Sequence, residues 1–137
     1  MKQNSKILLF VYGTLLNGFP LHYHLQKSSV KYLGEGHVEG TLYDLGAYPG
    51  AVPSASSSKI KGEVYELTDP KKLKELDEVE GYNPSNPKRS LFVRRRTNVK
   101  LVSGQTIPAW MYFLPRMPTK GDLIESGDYK KRLEFQK

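Results

Sequence analysis

Apolar residues first gather at Ile7 to Val11, ILLFV, five in a row. The run is too short for a membrane span and lacks the alternation of a strand with one wet face, so it predicts a strand buried on both sides. A second such stretch, Ile107 to Leu114 (IPAWMYFL), predicts another. Between them the pattern alternates. Val30 to Leu45, with glycines at 34, 36, 40 and 46, reads as one or two strands with bends or bulges. Ile60 to Leu67 and Leu91 to Val102 read as strands, the second ending at a Ser103-Gly104 turn. From Leu16 to Gln26, Gly18 and Pro20 allow only a short helix starting near Pro20, with Leu21 and Leu25 on one face. Gly46 to Pro53 reads as a loop, but Tyr48, Ala51 and Val52 give it apolar content, so it is expected to pack onto something, a ligand pocket included. Ser54 to Lys59 is a serine-rich tip, and Gly81 to Ser90 a loop.

The clear helical period lies between Thr68-Asp69-Pro70, a capping residue followed by proline at the first helical position, and Gly81, a natural stop. Taking about 100° per residue from Leu73, Leu76 lies about 60° to one side, Asp77 about 40° to the other, and Glu80 about 20° from Leu73 itself. Glu80 therefore sits on the apolar face, whereas Glu75 and Glu78 face water. An inward carboxylate at a helix C-terminus loses hydration and meets the negative end of the dipole, and both raise its pKa toward the range of a general base at neutral pH. A helix frayed before Glu80 would instead release the side chain to water, and the segment alone does not choose. Tyr12-Gly13-Thr14-Leu15 raises a similar question. A glycine directly after a buried strand permits a sharp turn whose N–H groups can hold an anion, and equally permits a tight turn and nothing more.

With 137 residues the chain fits one α+β domain over 1–137. The absence of cysteine removes disulfides, thiolate chemistry and cysteine-based metal sites, and His22, His24 and His37 have no metal-ligand spacing, so a zinc site is not expected. The N-terminal charges and short apolar run resemble a signal peptide only superficially, and a cytoplasmic protein without a membrane segment is expected. A net charge of +7 attracts anions in general. In an extended strand, however, Arg95 points opposite to Arg94 and Arg96, so the densest basic segment makes no single patch and nucleic acid is not the expected partner.

Taken together, FVYGTL, the YPGAVP loop, GEVYEL, LDEVEG, AWMYF and IESGDY, in that order, resemble the gamma-glutamylcyclotransferase-like superfamily, most closely its small bacterial branch. The resemblance covers about residues 7 to 129. It implies mixed strands curled into a small β-barrel with a few short helices, and an enzyme that releases 5-oxoproline from a small gamma-glutamyl compound without a cofactor. The substrate's own alpha-amine is the implied nucleophile, with Glu80 as the general acid/base. Tyr12, Gly13, Thr14 and Leu15 are the implied substrate-binding residues, with Tyr48, Pro49 and Gly50 in the pocket wall and Arg94 at the place of a family arginine. Phe92 stands where the family pattern has tyrosine, and Tyr129 where tryptophan is commoner. The leaving group, a free amino acid or a lysine side-chain amine, stays open, as does the oligomeric state. A non-catalytic protein binding an anionic metabolite in the same pocket is the alternative.

Overall fold

The computed structural model describes residues 7–54 and 58–134, so the expected serine-rich tip falls partly outside the described residues. The strands are β1 (Ile7–Val11), β2 (Val30–Glu39), β3 (Thr41–Asp44), β4 (Pro49–Val52), β5 (Lys59–Leu67), β6 (Val93–Leu101), β7 (Thr106–Phe113) and β8 (Asp122–Leu123). The helices are α1 (Pro70–Val79) and α2 (Tyr129–Glu134). Strands in the order β1-β5-β2-β6-β7 close into a barrel, with β4-β3-β8 as a separate three-stranded sheet. β1 runs antiparallel to β5 and parallel to β7, which makes the barrel mixed.

The apolar run of β1 is explained by the layers on either side of it. Phe10, together with Tyr12 just past the strand, joins Val38, Ile60, Val64, Val99 and Met111 in one core cluster. Leu9 and Val11 join Leu67, Leu76 of α1, Phe92 and Tyr112 in a second. Both faces of the strand are therefore dry. No helix among the described residues is long and apolar enough to cross a membrane.

Two expectations change. The segment near Pro20 forms only a 3-10 turn, His22–Leu25, because Gly18 takes a left-handed φ of 92° and the run to Gln26 leaves no room for a longer helix. The segment read as a loop from Gly46 to Pro53 contains strand β4, paired antiparallel to β3 with Leu42 opposite Ala51. Its proline hid the strand, yet Pro49 is the first residue of β4, where a missing N–H disturbs the ladder least.

Candidate active site

Beyond β1 the chain folds back on itself, with the Leu16 N–H donating to the Gly13 carbonyl at 2.9 Å. The Thr14 carbonyl accepts the Leu21 N–H at 3.0 Å, and the Leu15 carbonyl accepts His22 Nδ1 at 2.8 Å. A peptide carbonyl points opposite the N–H that follows it, so tying the Gly13 and Thr14 carbonyls back turns the Thr14 and Leu15 N–H groups the other way. None of the hydrogen bonds found among the described residues uses the N–H of Gly13, Thr14 or Leu15. All three residues line a cavity of about 330 Å³. Gly13 is required by close approach, since a Cβ there would lie 2.6 Å from Pro49 Cγ.

The end of α1 forms the opposite wall. Asp69 caps the helix start by accepting the Lys71 N–H at 3.0 Å, ahead of Pro70. At the other end the Gly81 N–H donates to Glu78 and the Tyr82 N–H to Asp77, at 3.1 and 2.8 Å, with Gly81 left-handed at φ 69°. This paired closure holds Glu80 in helical geometry at the C-cap rather than frayed. Glu80 is half-buried and lines the cavity with Val79, and its carboxyl has no hydrogen-bond or ion-pair partner among the described residues. Burial pushes its carboxyl up to about 7. Apolar side chains complete the wall, among them Phe10, Leu21, Tyr48, Leu91 and Phe92, with the Tyr48 and Phe92 rings 5.6 Å apart.

A buried polar network joins the two walls. Arg94 donates from Nε and Nη2 to the two oxygens of Asp77 at 2.7 and 3.1 Å. The Tyr112 hydroxyl donates to Asp77 Oδ1 at 2.7 Å, while the Tyr112 carbonyl accepts the Tyr12 hydroxyl at 2.8 Å. Tyr12 in turn accepts the Ala51 N–H at 3.2 Å. Burial, reinforced by the charge of Glu80, pushes the Tyr12 hydroxyl well above its usual pKa, so it remains a proton donor.

Glu80, Tyr12, Gly13, Thr14, Leu15, Tyr48 and Pro49 thus share one cavity, also lined by Tyr112. Arg94 and Gly50, both expected at the site, stand beside it. The Arg94 guanidinium lies over Trp110, 4.4 Å from the ring centroid, and is committed to Asp77. A Cβ on Gly50 would point at Leu114 rather than at the cavity. Phe92 and Tyr129 are both buried, Tyr129 packing on Phe19 with ring centroids 5.5 Å apart. Sequence reading passed over Asp77 and Tyr112. Asp77 carried a signal, since it lies about as close to the apolar helix face as Leu76 does. Tyr112, in an unbroken apolar strand, carried none.

A family model described as gamma-glutamyl cyclotransferase, AIG2-like, matches residues 9–131. A Methanocaldococcus jannaschii protein named provisionally as a gamma-glutamylcyclotransferase is 39% identical over 123 residues, covering 89% of this chain and 94% of its own. The gamma-L-glutamyl-butirosin B gamma-glutamyl cyclotransferase of Niallia circulans is 34% identical over 109 residues, 79% of this chain and 67% of that one. The crystal structure of an AIG2-like protein from Mus musculus superposes with a TM-score of 0.74, covering 90% of this chain and 88% of that one; at 23% identity it speaks for the fold.

Proposed function

Because this chain belongs to the gamma-glutamyl cyclotransferase, AIG2-like family, we propose that it releases 5-oxoproline and a free amine or amino acid from a small gamma-glutamyl compound. The observation that carries this reading is the pairing, on one cavity, of a carboxyl raised to about 7 with backbone N–H groups that have no acceptor among the described residues.

The glutamyl oxygens accept hydrogen bonds from the N–H groups of Gly13, Thr14 and Leu15. The alpha-ammonium faces Glu80, which takes a proton from it. The freed amine attacks the gamma-carbonyl carbon, forming the ring C–N bond. The old gamma-amide C–N bond then breaks, and its electron pair stays on the leaving nitrogen. Two protons leave the alpha nitrogen and both end on the leaving amine, carried by Glu80, so the reaction needs no water or outside reactant. Both reacting groups belong to one molecule, so the protein mainly holds a folded conformer and offers donors to the developing oxyanion.

The test is chromatographic detection of 5-oxoproline from gamma-glutamyl dipeptides, gamma-glutamyl amines and gamma-glutamyl-lysine, with Glu80→Gln as control. Release by the native chain and its loss in the variant are expected. Thermal stabilisation by 5-oxoproline with no release from any compound would replace the enzyme with a binding protein.

A further inference from the structure

The site leaves one buried carboxylate unused. Glu63, on β5, is 5% exposed and sits in register with Val11 at the end of β1, two residues before Gly13. Its Oε1 accepts the Asn17 N–H at 3.0 Å and the Tyr65 hydroxyl at 2.9 Å, and its Oε2 pairs with Lys130 of α2 at 3.3 Å. Burying a charge is costly unless it is paired and hydrogen-bonded, and each of the three partners meets that need.

We propose that Glu63 is a positioning residue for the Gly13–Leu15 turn, clamping its exit at Asn17 so that the three N–H groups stay aimed at the cavity. The inference rests on the reading of that turn as the glutamyl-binding element. β1 fixes where the chain enters the turn, and Leu21 and His22 hold its Thr14 and Leu15 carbonyls from behind. Asn17 follows directly on Leu16, whose N–H closes the turn, so its bond to Glu63 fixes where the chain leaves. Three donors converge on this side chain: an amide, a hydroxyl and an ammonium. An ionised carboxylate is acceptor-only and satisfies all three, whereas a glutamine has to present its NH₂ to at least one of them. Lys130 also cancels the negative charge that would otherwise sit behind an anion-binding turn.

Glu63→Gln, nearly the same shape, separates positioning from packing. Its KM for the best gamma-glutamyl substrate should rise about tenfold, with the midpoint of the kcat/KM–pH profile still near 7, because a neutral amide oxygen holds Asn17 less firmly than a carboxylate and its NH₂ is set against Lys130. Tyr65→Phe removes a donor but leaves the clamp on Asn17, and its KM should stay within about twofold of native. Lys130→Met, altering a half-exposed side chain, keeps the inference testable if Glu63→Gln does not fold. It leaves an uncancelled charge behind the turn, and its KM should rise severalfold. In nitrogen–proton correlation spectra, the Gly13, Thr14, Leu15 and Asn17 amide signals should shift or broaden in Glu63→Gln. A native KM in both Glu63→Gln and Lys130→Met, or unmoved signals for residues 13–15 in Glu63→Gln, overturns the inference. Failure of the native chain to release 5-oxoproline counts against the functional reading alone, since the spectra then decide the role of Glu63.

Discussion

Asp77 is held by both arms of the Arg94 guanidinium, Nε to Oδ1 at 2.7 Å and Nη2 to Oδ2 at 3.1 Å, across the gap between α1 and β6. Asp77 is buried, and its residue lies one helical turn before Glu80. The pair therefore anchors the helix end that presents the proposed base.

Arg94→Ala should leave Asp77 with the Tyr112 hydroxyl as its one remaining side-chain donor among the described residues, and lower stability by about 3 kcal/mol. Arg94→Lys should recover part of this, since one ammonium cannot grip both oxygens. Urea unfolding of the three proteins measures the effect.

Glu80 should make the folded state less stable as pH rises. Its carboxyl ionises near the ordinary 4.5 when unfolded and near 7 when folded, so between these values the folded state holds more protons. Stability falls through that window, by about 3 kcal/mol in all, and stays flat below it. Glu80→Gln lacks this loss. Relative to the native protein it should gain stability between pH 4 and pH 8, read from paired unfolding curves, while losing 5-oxoproline release.

The same ionisation should shape turnover in the opposite sense. A base must be deprotonated to work, so kcat/KM should rise about tenfold per pH unit below 7 and level off above it. Initial rates between pH 5.5 and 8.5 check the midpoint. A profile flat across pH 7 would remove Glu80 from the role of base.

Gly13→Ala would bring a methyl group within 2.6 Å of Pro49 Cγ. Pro49 opens a buried strand and cannot yield easily, so the turn should shift instead. The expected outcome is a KM raised about tenfold or more, with a stability loss of about 1–3 kcal/mol from overpacking. Kinetics together with thermal unfolding separate the two.

Much of this architecture is local and therefore legible along the chain. The buried strands β1 and β7 announce themselves by unbroken apolar runs, and α1 by Asp69-Pro70 at one end and Gly81 at the other. The inward direction of Glu80 follows from helical spacing, and Gly81 decided whether the helix held that far. β4 was less legible, because its Pro49 and Gly50 carry the marks of a turn while its strand character depends on β3. The family resemblance places Arg94 at the site, and its position on a strand says nothing about which partner lies across the gap, here Asp77.

The chain by itself determined the inventory: a strand dry on both faces, a sharp glycine turn after it, and a helix whose apolar face ends in a carboxylate. These depend on residue spacing and on the conformations each residue allows. Tertiary structure decided what meets what. It brought the end of α1 over the Gly13–Leu15 turn, withdrew Arg94 to Asp77, and set Glu63 beneath Asn17. Each of these is a contact between residues at least 17 positions apart, and barrel closure, rather than local preference, brings such residues together.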